Sequence, residues 1–351
     1  MDIKTADRLC HLNNEFYQKN HAPFSASRAA PWPGWERCLG LLANVGFCGK
    51  GGPPQPNQTS FSDASHRDEP CYHAMPPCKH NTPSPPSLSI FDLACGNLRF
   101  GAFLASQLPQ YSLDFYAVDC CDALLPPDVA KTNTDCPNYG ANSPREAPIN
   151  AQTAVIAGLT GNLSPDPPGE ALRLTSRNDG LDTLNRHLPK RPVRYQYQNL
   201  DIVELLQHDL CLSEHIAAPL CDLAVCFGFL HHLPLVEQRQ QVLQSLIGQT
   251  RPGGYVIVSF WQFLNDAGLA AKARESHQHG LAQLGLPGLD DNDFLLGFNG
   301  IPGAWRYCHS FTDREIDQLA ASLAGQARAA YRFNADGRTG NLNSYLLLEV
   351  S

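Results

Sequence analysis

The stretch "FDLACGNLRFGAF" (residues 91–103) decides how the chain is read. Its first residues complete "LSIFDL" (88–93), an apolar run with the length and character of a buried strand. Gly96 follows in a tight turn, and Phe103, Leu104 and Leu108 then fall on one side of a helix. Strand, glycine turn and helix in that order form the layout of a nucleotide cradle.

The same alternation continues outward. "LDFYAVD" (113–119), "VRYQYQN" (193–199), "CDLAVCF" (221–227) and "YVIVSFW" (255–261) read as further strands. Between the last two, Val236, Val242, Leu243, Leu246 and Ile247 recur at helical spacing, and "RPGG" turns that helix into the next strand. "TDREIDQLAASL" opens with a capping box, Thr312 to Glu315, and carries Ile316, Leu319 and Leu323 as an inward stripe. "ARAAYRF" (327–333) and "SYLLLEV" (344–350) close the chain as two strands with a short connection, hence an antiparallel edge hairpin. Seven strands alternating with helices predict an α/β fold, a doubly wound sheet with its ligand at the strands' carboxyl ends. Residues 1–48 show helix-like spacing broken by "PWPGW" (31–35) and are expected to form a helical cap segment. Two stretches, 49–86 and 126–180, are rich in Pro, Gly, Ser and Asn and read as irregular insertions. The body of the domain is expected over 87–351, with 126–180 inserted in it.

A chain of 351 residues with 43% hydrophobic and 17% charged residues can bury a full core. Its formal charge of -8 argues against loose, charge-driven nucleic-acid binding, although a specific RNA docked on a local patch remains compatible. "PKRPVR" (189–194) is the compact basic cluster. No apolar run approaches the ~20 residues of a membrane span, and the N-terminus lacks the apolar core of a signal peptide. Thirteen scattered cysteines read as reduced thiols rather than a disulfide framework, so the cytoplasm is the expected compartment. Cys71, His73, Cys78 and His80, with Cys48 upstream, are zinc-ligand types, but C-x-H-x4-C-x-H fits no standard finger and no metal site is expected.

The glycine turn restricts the nucleotide. A dinucleotide fingerprint needs three glycines. With Gly96 in the middle, the outer positions are Ala94 and Arg99; with Gly96 first, the middle is Leu98. No Walker-type run ends in Lys-Ser or Lys-Thr. S-adenosylmethionine, which has no phosphates, needs one glycine at the turn and an acid at the end of the next strand for the ribose hydroxyls. Gly96 and Asp119 meet those needs.

These motifs resemble the class I S-adenosylmethionine-dependent methyltransferases over roughly residues 87–350. "FDLACGNLRF" looks like their first motif, "AVD" their second and "YQNLDI" their adenine-edge motif. "CDLAVCFGFLHHL" is similar to the fourth-strand motif and "RPGGYVIVSF" to the motif before and within strand five. The resemblance implies a seven-stranded methyltransferase sheet, S-adenosylmethionine as cofactor, and cofactor contacts from Asp92, Ala94, Cys95, Gly96, Asn97, Asp119, Cys120, Asp201, Ile202 and Phe227. Asp201 would sit near the adenine amino group with Ile202 beside the ring. Ala94 and Leu98 depart from the family, which commonly has glycine there.

The acceptor is less constrained. The Asp/Asn-Pro-Pro-aromatic tetrad of exocyclic-amine DNA methylases is replaced by "FGFLHH", and the Pro-Cys nucleophile of base C5-methylases is absent, so DNA is not an expected partner. "FSASRAAPWPGW" (24–35) and "WRYCHSFTDREIDQL" (305–319) resemble segments of the eukaryotic enzymes that esterify 5-carboxymethyluridine at the tRNA wobble position. By that resemblance Arg28, Arg306, Tyr307 and His309 would clamp a carboxylate, and Trp32 would wall a flipped base; the alternatives for Arg28 are the carboxylate of the cofactor itself or a surface salt bridge. His232 is the candidate base should the acceptor be a hydroxyl or amine. A small-molecule acceptor is the alternative, a catalytically silent binding subunit a further one, and an activating protein partner is compatible with each.

Overall fold

Strand β1 (Ser87–Leu93) lies inside a sheet in which both of its neighbours run parallel to it. Burial on both faces explains its apolar run. Leu88 and Ile90 point to one core, Phe91 and Leu93 to the other. The structure is a computed structural model and describes residues 1–28, 30–47, 86–126, 129, 154–156 and 193–351. The zinc-type residues Cys48, Cys71, His73, Cys78 and His80 and most of both insertions lie outside the described residues.

The strands following β1 are β2 (Ser112–Asp119), β3 (Ala154–Ile156), β4 (Val193–Asn199), β5 (Cys221–Cys226), β6 (Thr250–Trp261), β7 (Asp293–Gly297), β8 (Trp305–His309), β9 (Ala327–Ala335) and β10 (Asn343–Val350). Eight of them form one sheet in the order β3-β4-β2-β1-β5-β6-β10-β9. Strands β4, β2, β1, β5 and β6 are parallel, and β10 runs antiparallel to both β6 and β9. This is the doubly wound sheet with an antiparallel terminal pair expected of the methyltransferase fold, with two additions. Strand β3 adds an eighth, antiparallel edge strand from within the segment expected to be irregular. Three residues are too few to show a period. Strands β7 and β8 form a separate antiparallel pair, also unforeseen.

The helices are α1 (Ile3–Ala26), α2 (Pro33–Asn44), α3 (Arg99–Gln107), α4 (Ile202–Gln207), α5 (Leu212–His215), α6 (Val236–Gly248), α7 (Ala267–Leu284) and α8 (Asp313–Ala321). Trp35, Leu42, Phe100 and Phe103 of α2 and α3 cover one face of the sheet. Ile202, Leu206, Val242, Leu246, Ile316 and Leu319 of α4, α6 and α8 cover the other. The Thr312–Glu315 capping box is formed at the start of α8. The chain passes from β1 outward to β2 and β4, then crosses to β5 on the other side of β1. That reversal places a crevice at the carboxyl ends of β1 and β5. Among the described residues no helix is long and apolar enough to cross a membrane.

Candidate functional site

After β1 the backbone takes left-handed conformations at alternate residues, Ala94 (φ 59°), Gly96 (φ 55°) and Leu98 (φ 57°). Only the middle one is glycine, so the other two each cost about 1 kcal/mol. The turn is held by its neighbours instead. Cys95 N donates to Val118 O (3.1 Å) and Leu98 N to Cys95 O (3.1 Å). Gly96 N donates to Asp119 Oδ2 (2.9 Å), and Cys121 N donates to Asp119 Oδ1 (3.0 Å). Asp119 therefore fastens the β1 turn to the tip of β2, and each of its oxygens keeps a lone pair for a ligand hydroxyl. A Cβ at Gly96 would meet nothing within 4 Å, so the backbone there faces open space.

That space is a cleft of about 1160 Å³ counting the open solvent at its mouth. Its strand-tip end is lined by all ten residues expected at the cofactor: Asp92, Ala94, Cys95, Gly96, Asn97, Asp119, Cys120, Asp201, Ile202 and Phe227. Asp92 is 3% exposed and has no hydrogen-bond partner among the described residues. Burial, reinforced by Asp119, raises its carboxyl to about 8. Burial likewise raises Asp119, against the lowering effect of its backbone donors. Asp201 caps α4 through Glu204 N (3.0 Å) and accepts from Asn14 Nδ2 (2.9 Å). The carboxylates of Asp119 and Asp201, with apolar Ile202 and Phe227, suit a nucleoside. A buried, unpaired Asp92 suits a cationic group on it. These residues fit S-adenosylmethionine on donor chemistry.

Much of the rest of the lining comes from the chain's first 35 residues, which meet the strand tips through Asn14–Asp201 and Asn97–Ser25. Tyr17, Phe24, Arg28 and Trp32 line the cleft there, with His232 from the 3-10 turn Leu230–His232. The Arg28 guanidinium lies 3.6 Å from the Phe24 ring centroid and donates to Ser27 Oγ (3.1 Å). Among the described residues it has no salt bridge. Burial and then Arg306 lower Arg28 to about 10. Trp32 stacks on Trp35 at 5.3 Å between centroids.

Arg306 is not in the lining itself. It lies 5.5–5.9 Å from the rings of Phe16, Phe24, Trp261 and Phe298, its Nε is buried without a partner among the described residues, and it interacts with Tyr17. Its expected direct clamp becomes an action from behind the wall. The expected roles of Tyr307 and His309 are corrected by their packing. Both side chains point into the β7–β8 interior, where Tyr307 donates to Asp293 Oδ1 (2.6 Å). His309 places Nδ1 on Asp293 (2.6 Å) and Nε2 on Glu315 (2.9 Å).

His232 also differs from its expected role as a base. Its Nδ1 lies 3.0 Å from Tyr307 O, which can only accept, and 3.3 Å from the Asn13 amide nitrogen, which can only donate; the shorter contact favours the proton on Nδ1. Nε2 is then left to accept from the Tyr17 hydroxyl (2.7 Å). Both ring nitrogens are engaged, and burial with Arg306 lowers the ring to about 3. His231, His232 and Cys308 bring ligand atoms within 4.8 Å of one another. Arg306 and Arg28 put positive charge against that cluster, which opposes a cation.

Sequence reasoning missed Asn13 and Tyr17. The Asn13 side chain accepts from Tyr307 N (2.8 Å) and donates to Tyr307 O (3.2 Å), pairing α1 with β8 as a strand would. Tyr17 stands one turn further along the same face. The i,i+4 spacing was visible, but not what the pair would meet.

No family model matches the chain, and no curated protein matches it. Among solved structures it is similar to an S-adenosylmethionine-dependent methyltransferase from Methanosarcina mazei, at 15% identity over 79% of this chain and 98% of that one, with a TM-score of 0.41. It is similar to DhpI in complex with SAM and HEP, at 9% identity over 97% of each chain, with a TM-score of 0.42. A third is the magnesium protoporphyrin IX methyltransferase of Synechocystis PCC 6803 with bound SAH, at 12% identity over 76% of each chain and a TM-score of 0.37. At these scores the likeness adds nothing to the strand order, which by itself defines the fold.

Proposed function

We propose that the chain is an S-adenosylmethionine-dependent methyltransferase whose acceptor is a carboxylate, the wobble uridine carboxylate of a tRNA being the specific candidate. The observation that carries the acceptor is Arg28, a cation lining the cleft without an acidic partner among the described residues. An anion placed there gains a charge-assisted hydrogen bond in a partly dry site. The engaged ring of His232 supports the same reading, because among the described residues around Arg28 no free imidazole is then left as a base for a hydroxyl or amine. A carboxylate is ionised near neutral pH and needs none.

When bound, the cofactor supplies an electrophilic methyl group. Gly96, Asp119 and Asp201 hold its nucleoside and Asp92 its cationic part. Arg28 orients the carboxylate oxygen in line, Phe24 and Trp32 exclude water, and Arg306 keeps the acceptor end electropositive. A small-molecule carboxylate is the second reading, favoured by the net charge of -8.

Methyl-deuterated S-adenosylmethionine, incubated with the chain and a cell extract split into tRNA, protein and small molecules, separates these readings. Label in a tRNA carboxymethyl ester supports the specific candidate, whereas label in a small molecule removes it. No label anywhere favours a silent fold or a missing partner. On the labelled acceptor, Arg28→Ala is expected to lower kcat/KM by at least ~30-fold, with cofactor affinity within about threefold of the wild type.

A further inference from the structure

"PWPGW" (31–35) starts helix α2 without a cap of its own. The N-cap residue is Trp32, whose side chain makes no capping hydrogen bond, and Pro33 occupies the first helical position. The free N–H is that of Gly34, and it donates to Asp336 Oδ1 (2.8 Å), a residue 302 positions later in the turn between β9 and β10. Asp336 is 6% exposed, and its other oxygen accepts from Asn343 Nδ2 (2.8 Å) and the Tyr345 hydroxyl (2.6 Å). Its backbone is left-handed (φ 65°), a conformation that aspartate adopts more readily than most residues.

We infer that Asp336 is a positioning residue for the acceptor wall: it supplies from the terminal hairpin the N-cap that α2 lacks, and so fixes Trp32 and Trp35 in the cleft. Three features follow from this one contact. Residue 34 is glycine because a Cβ there would lie 2.2 Å from the Tyr345 ring, and only that close approach brings Gly34 N to the carboxylate. Residue 32 is free to be tryptophan because the cap comes from elsewhere. The Trp32 ring then reaches across to Gly228, where an added Cβ would be 3.1 Å from it, so the wall closes against the end of β5. The inference rests on the cofactor reading only where a ligand is used to test it.

The full chain is compared with Asp336→Asn and Tyr345→Phe. Asparagine offers Gly34 an uncharged oxygen in place of a carboxylate, and its amide hydrogens suit the Asn343–Tyr345 pair only if both of those groups turn, so the cap is weakened, whereas Tyr345→Phe weakens the hairpin but leaves Asp336 Oδ1 on Gly34. Hydrogen exchange at the Gly34 amide is expected to quicken about 10-fold in Asp336→Asn, with loss of near-ultraviolet circular dichroism from the Trp32–Trp35 stack. Tyr345→Phe is expected to stay within about twofold on both. S-adenosylhomocysteine affinity by calorimetry should stay within about threefold of the wild type in both variants, because neither touches the strand-tip residues. Equal quickening in the two variants, or none in Asp336→Asn, overturns the inference. If Asp336→Asn does not fold, Asp336→Gly removes the cap while relieving the left-handed backbone, and the same exchange result is required of it. A wild-type chain that binds no S-adenosylhomocysteine sinks the cofactor reading alone, because exchange at Gly34 reads the cap without a ligand.

Discussion

The two parts of the cleft wall, strand tips and N-terminal helices, differ in how far apart in sequence the residues that anchor them lie. At the strand tips, Gly96 and Asp119 are 23 residues apart and joined by one hydrogen bond from the Gly96 N–H to the Asp119 carboxylate. In the N-terminal helices, α1 is pinned to β8 by Asn13 across 294 residues, and α2 is capped by Asp336 across 302. The first part is a consequence of strand order and of residues at strand ends. The second depends on side chains reaching between the start and the finish of the chain. Damage at the first should therefore remove ligand binding, and damage at the second should alter the acceptor wall while sparing the turn.

The largest effect is expected from Asp119→Ala. It leaves the Gly96 and Cys121 N–H groups unpaired in a buried tip and removes the acceptor for a ribose, together costing about 3 kcal/mol or more. S-adenosylmethionine affinity should fall at least ~100-fold by calorimetry. Affinity within threefold of the wild type would place the ligand elsewhere and dissolve the contrast between the two parts.

Asp92→Asn should sharpen it through pH. The folded carboxyl titrates at about 8, above its ordinary 3.8. Its contribution to stability is full below about pH 4 and is lost as pH rises through 8. Asparagine does not titrate, so the ligand-free variant should gain on the wild type across that window, on the order of a few kcal/mol in urea melts. Cofactor binding should move oppositely, because a cation displaces the Asp92 proton and binds more tightly at pH 8.5 than at pH 6. A stability difference independent of pH would mean that Asp92 is ionised in the empty cleft.

A smaller pH effect is expected away from the cleft, beside the β7–β8 pair. Glu315, on His309 and the Thr312 cap, is lowered to about 2 by the His309 hydrogen bond and the Thr312 donors, against burial. Its contribution is present above about pH 4.5 and is lost as pH falls toward 2. With screening at a half-exposed site it is worth about 1 kcal/mol. Glu315→Gln should therefore lose less stability than the wild type between pH 6 and pH 3. Parallel acid melts would show that the His309–Glu315 contact does not form in solution.

The sequence made the sheet legible because parallel strands buried on both faces are continuous apolar runs, and made the strand-tip residues legible because each ends such a run. Asp119 could be named from "AVD" alone. Tyr307 and His309 could not be placed the same way. A five-residue strand such as "WRYCH" sends alternate side chains to opposite faces, and only the unforeseen partner strand β7, with Asp293, determines which face is interior. Arg306, on the other face, interacts with Tyr17 and is not itself in the cleft lining. Asn13 and Asp336 carried no local signal because their partners are backbone groups at the far end of the chain.

The smallest expected effect concerns the turn itself. Ala94 and Leu98 are left-handed where glycine would be unstrained, and the structure keeps the turn through Val118 O, Asp119 and the packing of Leu98, which is 3% exposed. If the strand tips dictate the turn, relieving the strain should change stability without changing the ligand. Ala94→Gly removes about 1 kcal/mol of backbone strain and adds a comparable or slightly smaller entropy to the unfolded chain. Its net change should fall between zero and about +1 kcal/mol, with cofactor affinity unaltered. Leu98→Gly relieves the same strain but deletes a core side chain, worth about 2–5 kcal/mol, and should destabilise. Opposite signs at two residues of equal φ would show that the glycine pattern expected of such turns is one way to reach this backbone, and that anchorage by the neighbouring strand is another. A stabilising Ala94→Gly that also tightened the cofactor would show instead that the strain is felt by the ligand.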